Sequence, residues 1–276
     1  MKTLFISDLD GTLLNSQAGL SAFTKDTMNE LIERGMLFSY ATARSAVSSR
    51  GVTEGLNIHL PIVIYNGTFI LDMNSDEFLM SNYFKSEVKV LLDDLMTNEI
   101  YPIVYSHIDG EEKFTYLPEK ASRGVLAHIH NRKGDKRTHP VNLVEDMYKG
   151  EIFCLNCIDE PEKLEPIYLK YKEIFHCVYY MDIYTKEWWL EIMPKAASKA
   201  KAALQLKEHL QCDCLVVFGD QKNDIDMFKV ADECYAVENA VDELKALATD
   251  IIEANDADGV AKWLIRRFTE RINHDF

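Results

Sequence analysis

The sequence predicts an α/β protein with a doubly wound, mostly parallel sheet and an inserted α+β domain. Short apolar runs typical of strands alternate with amphipathic helical stretches, which is the pattern of a parallel sheet packed between helices. Three of these runs end in polar side chains, at Asp8, Thr42 and Asp220. Open α/β sheets bind ligands at the carboxyl ends of their strands, so these positions mark the predicted site.

The N-terminal part of the chain alternates between strand and helix patterns. Residues 2–7 are apolar and partly β-branched, which predicts a buried strand. Gly35 follows a helical pattern and is the residue type favoured just beyond a helix C-terminus. The further elements predicted here are a helix over 23–34, a strand over 36–41, a helix near 45–55, a strand over 62–65 and a hairpin near 72–74.

The middle of the chain has a different character. A predicted helix over 85–98 is followed by two strand patterns, 101–106 and 112–117, on either side of Asp109-Gly110. An Asp-Gly pair between two such runs is a strong hairpin signal. Antiparallel hairpins beside helices indicate an α+β unit that is distinct from the parallel sheet.

We predict that residues 82–189 form this inserted α+β cap and that 1–81 and 190–276 together form the core. The core pattern resumes after the insertion and ends with a helix over 258–271. Within the insertion, residues 120–139 hold six Lys or Arg against one Asp. This run predicts a solvated loop or, alternatively, a surface that meets a substrate carboxylate or phosphate.

Composition restricts the partners of the chain. Its 276 residues include 45 acidic and 30 basic side chains, and the net charge of -15 disfavours binding to nucleic acid or anionic membranes. No run approaches the roughly 20 apolar residues of a membrane helix. The first apolar segment is short and leads directly to Asp8, unlike a signal peptide. We expect a cytoplasmic monomer or weak homodimer with no nucleic-acid or membrane partner.

The six cysteines predict reduced, buried thiols, because disulfide frameworks are typical of small secreted domains. Cys154 and Cys157 have the spacing of a zinc or redox motif, but they lie in an alternating run over 151–158 that predicts a strand. A structural role in the core is therefore favoured over a metal site for these thiols.

Four segments carry polar groups at predicted strand or helix ends. Asp8 and Asp10 flank Leu9 and precede a Gly-Thr turn, so they indicate either a metal-binding, covalent site or a solvated turn. The other three segments place a hydroxyl, cations and further carboxylates at comparable ends. They are Ala41-Thr42-Ala43-Arg44, Ser198-Lys199 at the start of a helix, and Gly219-Asp220-Gln221-Lys222-Asn223-Asp224.

These four motifs, in this order, resemble those of the haloacid dehalogenase superfamily of phosphohydrolases. The resemblance is closest to the Cof-like phosphatases, which have a large inserted αβ cap and act mostly on sugar phosphates. Its further marks are Asn66-Gly67 after a strand and the segment from Gly219 to Met227. The chain departs from the family pattern in Ala236-Val237-Glu238-Asn239-Ala240, where such proteins often carry glycine in place of Glu238.

The resemblance implies a role for each motif residue. Asp8 is expected to attack phosphorus and Asp10 to act as general acid and base, while Mg²⁺ is the expected cofactor. The expected catalytic residues are Asp8, Asp10, Thr42 and Lys199. The expected metal ligands are Asp8, the carbonyl of Asp10, Asp220 and Asp224, the last either as a ligand or as a partner of the ligands. Substrate contacts are expected from Leu9, Thr42, Ala43, Arg44, Asn66, Gly67, Lys199 and Asn223.

These roles predict a magnesium-dependent phosphatase that hydrolyses a small phosphorylated metabolite through an aspartyl-phosphate. Sugar phosphates and phosphorylated cofactors are the expected substrates. A phosphomutase would use the same residues and return the phosphoryl group to a sugar. The third hypothesis is a phosphate-binding protein without turnover, although the presence of both Asp8 and Asp10 does not favour it.

Overall fold

The computed structural model describes residues 2–182 and 185–274, with side chains through residue 269. The chain divides into two compact units. The first unit is formed by Met1–Ser81 with Ala197–Phe276, and the second unit by Asn82–Ala196. Among the described residues, no helix has both the length and the apolar character that crossing a membrane requires.

The strands, in chain order, are β1 (Thr3–Ser7), β2 (Leu37–Tyr40), β3 (Ile62–Ile64), β4 (Phe69–Leu71), β5 (Phe78–Ser81), β6 (Ile103–Ile108), β7 (Glu111–Tyr116), β8 (Thr138–Pro140), β9 (Glu151–Asp159), β10 (His176–Met181), β11 (Trp188–Met193), β12 (Cys214–Gly219), β13 (Glu233–Val237) and β14 (Asp250–Ile252). The α-helices are α1 (Ala22–Glu33), α2 (Ala46–Val52), α3 (Glu87–Thr97), α4 (Arg123–His130), α5 (Pro161–Tyr171), α6 (Lys199–His209), α7 (Ile225–Val230), α8 (Asp242–Lys245) and α9 (Gly259–His274).

Five parallel strands form the main sheet of the first unit, in the order β14, β13, β12, β1, β2. Strands β1 and β12 are buried along their whole length, as expected for parallel strands covered on both faces. The chain leaves β1 toward β2 on one side and later adds β12 to β14 on the other side. This arrangement confirms the predicted sheet and places its reversal of strand order between β1 and β12, where such sheets bind ligands.

A smaller antiparallel sheet of β3, β4 and β5 belongs to the same unit. A parallel bridge between Ala41 and Val63 places β3 beside the end of β2. The turn between β4 and β5 is closed by Asp72, whose Oδ1 accepts the N–H groups of Asn74 at 2.7 Å and Ser75 at 3.0 Å. The hairpin predicted near 72–74 is therefore confirmed.

Two helix ends lie where the local sequence predicts them. Ser198 caps α6, because its Oγ accepts the N–H of Lys201 at 3.1 Å. Lys199 is consequently the first residue of that helix, as predicted. At the other end of a helix, Gly35 follows α1 with a φ of +91°, the left-handed conformation that favours glycine.

The second unit contains a six-stranded sheet in the order β10, β11, β9, β6, β7, β8, antiparallel except for the parallel pair β7 and β8. Its apolar core includes Leu91 from α3 and Leu164 from α5. The turn between β6 and β7 has φ values of +51° at Asp109 and +79° at Gly110. These are the conformations that an Asp-Gly hairpin turn requires, so this prediction is also confirmed.

The structure has the expected free thiols and buries four of the six, whereas Cys177 and Cys212 are half-buried. Cys154 and Cys157 are buried in β9. In the part of the chain that the structure describes, all six cysteines are free thiols. Burial raises the pKa of Cys154 well above its ordinary value, which keeps this thiol protonated.

The second unit extends to Ala196, beyond the predicted end at residue 189. Strand β11 explains the difference, because it pairs with β9 and β10 and so belongs to the second sheet. An apolar run of this length predicts a buried strand in either sheet. Sequence pattern alone therefore placed the return to the core too early.

Residues 131–134 form an exposed turn, as the solvated-loop prediction expects, while α4 and β8 occupy the segment on either side of it. Ser122 caps α4 through its side chain, and β8 follows after a turn. Arg137 donates to Asp135 at 2.7 Å and to Glu112 at 2.8 Å, and only 16% of its side chain is exposed. The positive charge of Arg137 is thus paired within the second unit.

Candidate active site

The carboxyl ends of β1 and β12 bring two of the predicted acidic residues together. Ser7 and Phe218 are partners in the register of this parallel pair. The N–H of Asp8 donates to the carbonyl of Phe218 at 3.0 Å, and Asp220 directly follows the end of β12. Residues from opposite ends of the chain therefore meet because their strands are neighbours.

Asp8, Asp220 and Asp224 form a buried acidic cluster. One carboxylate oxygen of each lies within 4.8 Å of the others, and the exposed fractions of the three residues are 5%, 4% and 0%. Carboxylates that are this close repel one another when ionised, and burial removes their hydration. The cluster therefore requires positive charge if it is to stay ionised.

Lys199 supplies part of that charge. Its Nζ donates to Asp8 Oδ1 at 2.6 Å and to Asp224 Oδ1 at 2.8 Å. Burial lowers the pKa of Lys199, but the carboxylates of Asp224 and Asp8 together outweigh burial, and the pKa is raised. Lys199 is thus a charged ammonium. One ammonium against three carboxylates leaves two negative charges when all are ionised.

The pKa values in the cluster reflect this imbalance. Burial raises the pKa of Asp8 well above its ordinary value, with Lys199 opposing the rise and Asp224 adding to it. Burial and, to a smaller extent, the negative charge of Asp224 raise the pKa of Asp220 to about 7. A divalent cation would supply the missing charge, and magnesium prefers such all-oxygen ligands. The residues present therefore fit the expected metal.

Asp224 is engaged through both of its carboxylate oxygens. Oδ1 accepts from Lys199, while Oδ2 accepts the N–H groups of Asp220 and Gln221 at 3.1 Å each. Gly219 lies so close that a Cβ there would be 2.8 Å from Asp224. Asp224 thus fixes the turn that carries Asp220. Of its two predicted roles, this geometry favours the partner of the ligands.

Gly11 and Thr12 complete the environment of Asp220, a role that the sequence did not predict. Gly11 has a φ of +76°, and a Cβ at this position would collide with Asp220 Oδ2. Thr12 Oγ1 donates to Asp220 Oδ1 at 2.9 Å. The Gly-Thr pair after Asp10 is visible in the sequence, but its partner belongs to a distant strand.

Thr42, Asn66 and Asn223, all expected to contact substrate, are joined by hydrogen bonds. Thr42 Oγ1 accepts the N–H of Arg44 at 3.1 Å, and the Thr42 carbonyl accepts the N–H of Asn66 at 2.9 Å. Asn66 has a φ of +52°, and its Oδ1 accepts from Asn223 Nδ2 at 3.3 Å. These bonds link two of the four motif segments, those of Thr42 and Asn223, through Asn66.

Gly67 follows Asn66 and brings this turn of the chain into close contact with the start of α6. It has a φ of +91°, and a Cβ there would collide with the carbonyl of Ser198. Because α6 begins at Lys199, this close approach helps to fix where the helix presents its ammonium. Gly67 therefore has a packing role in addition to the substrate contact predicted for it.

Leu9 and Ala43 offer a phosphate hydrogen bonds only through their backbone amides. The side chain of Leu9 is buried in the core, and Ala43 has only a methyl group. Each directly follows a residue expected to contact phosphate, Asp8 and Thr42 respectively. Their amides are thus the groups to which the sequence prediction applies.

Arg44 pairs with Asp10, a contact that the sequence did not predict. Its Nε and Nη2 donate to the two carboxylate oxygens at 2.7 Å and 2.6 Å, which is the bidentate geometry of a strong ion pair. Its Nη1 donates to Ser48 Oγ at 3.0 Å. Arg44 therefore orients the Asp10 carboxylate, whereas the sequence predicts only a contact with substrate.

Asp8 and Asp10 occupy different environments although they are two positions apart. Asp8 is buried and bonded to Lys199, whereas the Asp10 side chain is 50% exposed and bonded to Arg44. Carboxylates in different environments can take different chemical roles. The structure thus separates the two acids, which their spacing in the sequence does not.

Comparison with known proteins agrees with this fold and identifies the family. A sequence profile of haloacid dehalogenase-like hydrolases matches residues 5–264, so the chain belongs to this family. Two Bacillus subtilis proteins, both 5-amino-6-(5-phospho-D-ribitylamino)uracil phosphatases, are each 27% identical to the chain, and the alignments cover 96% of this chain and 97% of theirs.

Solved structures show the same fold. A crystal structure from Thermotoga maritima is 26% identical, with a TM-score of 0.76 over 96% of this chain and 97% of that one. A haloacid dehalogenase-like hydrolase from Bacteroides thetaiotaomicron is 23% identical, with a TM-score of 0.77 over 96% and 99% of the two chains. The family resemblance seen in the motifs is confirmed, and the chain is a phosphatase of this family.

Gly11→Ala should disrupt the site without unfolding the protein. The new Cβ would collide with Asp220 Oδ2 and strain a backbone at a φ of +76°, so Asp220 or the loop must move. We expect phosphatase turnover to fall at least about tenfold. Gly35→Ala is the matched control, since φ there is +91° and a Cβ would meet no atom of the described residues within 4 Å. Equal turnover in the two variants would contradict this assignment.

Proposed function

We propose that this phosphatase depends on magnesium and hydrolyses small organic phosphates through an aspartyl-phosphate. The observation that carries the proposal is the buried cluster of Asp8, Asp220 and Asp224 with Lys199 bonded to two of the three carboxylates. Phosphoryl transfer requires an in-line nucleophile and positive charge around a group that carries spread negative charge. Asp8 would be the nucleophile, and Lys199 with a bound magnesium ion would supply the positive charge, all at the end of one sheet.

Asp8 is the proposed nucleophile. The hydrogen bond from Lys199 to Oδ1 orients the carboxylate, so that Oδ2 is the oxygen that attacks. A bond forms between this oxygen and phosphorus while the bond from phosphorus to the leaving oxygen breaks. One difficult hydrolysis is thereby divided into two easier steps.

Asp10 is the proposed general acid and base. It donates a proton to the leaving oxygen in the first step and accepts one from the water that attacks the aspartyl-phosphate in the second step. Inorganic phosphate leaves, and both carboxyl groups return to their starting states. The half-exposed position of Asp10 supports this role, because the group must reach both the leaving oxygen and water.

Magnesium would be held by Asp8, Asp220 and the backbone carbonyl of Asp10, with Asp224 fixing the Asp220 turn. When bound, the ion supplies positive charge to the substrate phosphate and to the carboxylates. Thr12 supports this set, since its hydroxyl already orients Asp220 Oδ1 at 2.9 Å.

The phosphate oxygens are proposed to bind groups from three segments. Thr42 offers its hydroxyl, Leu9 and Ala43 their amides, and Asn223 a side chain that Asn66 orients. Lys199 adds a compact positive charge. Donors aimed at the same group from separate strand ends would hold it in line with Asp8.

We propose that the second unit determines which leaving group is accepted, acting as the inserted cap of this family. The substrate of the two Bacillus subtilis relatives, 5-amino-6-(5-phospho-D-ribitylamino)uracil, is itself a small organic phosphate. It is therefore the first compound to test here, beside sugar phosphates and phosphorylated cofactors.

Removal of divalent cations should abolish turnover. Excess EDTA is expected to lower phosphate release at least about a hundredfold, because the negative charge of the cluster would repel the substrate. Added Mg²⁺ should restore the rate, whereas added Na⁺ at equal ionic strength should not. Turnover that persists in excess chelator would exclude the metal mechanism.

Asp8→Asn should abolish turnover and preserve the fold. The amide keeps the volume of the carboxylate and removes its nucleophilicity. Phosphate release should fall at least about a thousandfold, while the circular dichroism spectrum stays that of the wild type. Near-normal turnover in this variant would show that a different group attacks phosphorus.

A substrate panel should separate a phosphatase from a phosphomutase. We expect inorganic phosphate to be released from p-nitrophenyl phosphate and from at least one sugar phosphate or phosphorylated cofactor of the panel. Transfer to another sugar hydroxyl without release of phosphate would instead identify a mutase. Phosphate colorimetry and chromatography of the sugar products measure the two outcomes in the same reaction.

A further inference from the structure

The loop after β1 carries Asp10 and has an irregular backbone. Asp10 has φ −70° and ψ 121°, and Gly11 has φ +76°. The N–H of Leu14 donates back to the carbonyl of Leu9 at 2.9 Å, which closes the loop. Torsions of this kind interrupt regular helical hydrogen bonding, so the other loop carbonyls need partners from elsewhere.

Two asparagines from the C-terminal part of the chain provide these partners. Asn239 Nδ2 donates to the carbonyl of Gly11 at 2.8 Å, and Asn255 Nδ2 donates to the carbonyl of Leu14 at 2.9 Å. The two asparagines are themselves joined, because the N–H of Asn255 donates to Asn239 Oδ1 at 3.0 Å. A backbone N–H only donates and a carbonyl only accepts, so the orientation of the Asn239 amide is determined.

The segment that carries Asn239 also contacts the proposed metal site. It follows β13 and includes Glu238, which stands where the family often has glycine and which is exposed. The N–H of Val241 donates to the carbonyl of Asp220 at 2.9 Å. This short segment therefore connects the Asp10 loop with the Asp220 turn.

We propose that Asn239 and Asn255 are positioning residues that set the Asp10 carboxylate for proton transfer. The inference rests on the general acid and base role proposed above for Asp10. Asn239 is exposed, so its two bonds contribute to the position of the loop and little to the packing of the core. Asp8 is held separately, by the carbonyl of Phe218 in β12 and by Lys199.

The leaving group distinguishes this role from a general structural role. An alkyl phosphate needs a proton at its leaving oxygen, whereas p-nitrophenolate departs readily without one. Because kcat/KM reports the steps up to the first departure, a misplaced acid lowers this constant mainly for alkyl phosphates. General damage to the site would lower it for both substrates.

The test compares kcat/KM of wild type and Asn239→Ala for p-nitrophenyl phosphate and for the best alkyl phosphate of the panel. We expect a loss of about tenfold with the alkyl phosphate and of less than about threefold with the aryl phosphate. Asn255→Ala removes the Leu14 contact and should show the same dependence of the loss on the leaving group. It replaces Asn239→Ala in the test if that variant does not fold.

Asn29→Ala is the matched control. Asn29 also bridges two segments, since its Nδ2 donates to the carbonyl of Gly55 at 2.8 Å and its Oδ1 accepts the N–H of Asn57 at 2.8 Å. This bridge joins α1 to the chain after α2, so its loss should affect stability without changing the preference between the two substrates.

The outcomes separate this inference from the proposed function. Equal losses for both substrates in Asn239→Ala, or no loss for either, would overturn the positioning role. Asp10→Asn should show the same leaving-group dependence more strongly. If Asp10→Asn shows no leaving-group dependence, the general acid role proposed for Asp10 is wrong. If Asp10→Asn shows this dependence and Asn239→Ala and Asn255→Ala do not, only the positioning role is wrong.

Discussion

The rest of the site depends on one buried interaction, the contact of Lys199 with Asp8 and Asp224. Burying an ion costs several kcal/mol even after a protein relaxes, and a carboxylate without a partner would take up a proton instead. Lys199 offsets that cost for two carboxylates at 2.6 Å and 2.8 Å. One ammonium cannot neutralise three carboxylates, so the cluster keeps two negative charges when all three are ionised. The same excess that makes the cluster unfavourable in isolation makes it suited to a divalent cation.

Close packing against three glycines helps to bring these groups together. Gly11 lies against Asp220, Gly67 lies against the carbonyl of Ser198, and Gly219 lies against Asp224. At each of these contacts a Cβ would force the neighbouring atoms to move. Gly11 and Gly219 leave room for the carboxylates of Asp220 and Asp224, and Gly67 leaves room for the backbone at the start of α6. The absence of a side chain at three positions thus helps to set the geometry of the charged groups.

The sequence was sufficient to predict the parallel sheet, several of the helices and the strand and helix ends where Asp8, Asp220 and Lys199 meet, because these depend on local periodicity and on residue types at strand ends. It was not sufficient to predict partners that folding brings from distant segments. Nothing in the sequence near Arg44 selects Asp10 as its partner, and Asn239 lies 228 positions from Gly11. The end of the second unit was placed too early because β11 has the same apolar pattern in an antiparallel sheet as a strand of the core would have.

The proposed phosphorylation of Asp8 can be tested directly by trapping the covalent intermediate. Enzyme mixed with saturating substrate would be quenched in acid and treated with borohydride, which reduces an aspartyl-phosphate to homoserine, and the peptides would be sequenced by mass spectrometry. We predict homoserine at position 8, and only in reactions that contain Mg²⁺. A reduced residue at another position, or an unmodified Asp8 peptide during active turnover, would contradict the assignment of Asp8 as the nucleophile.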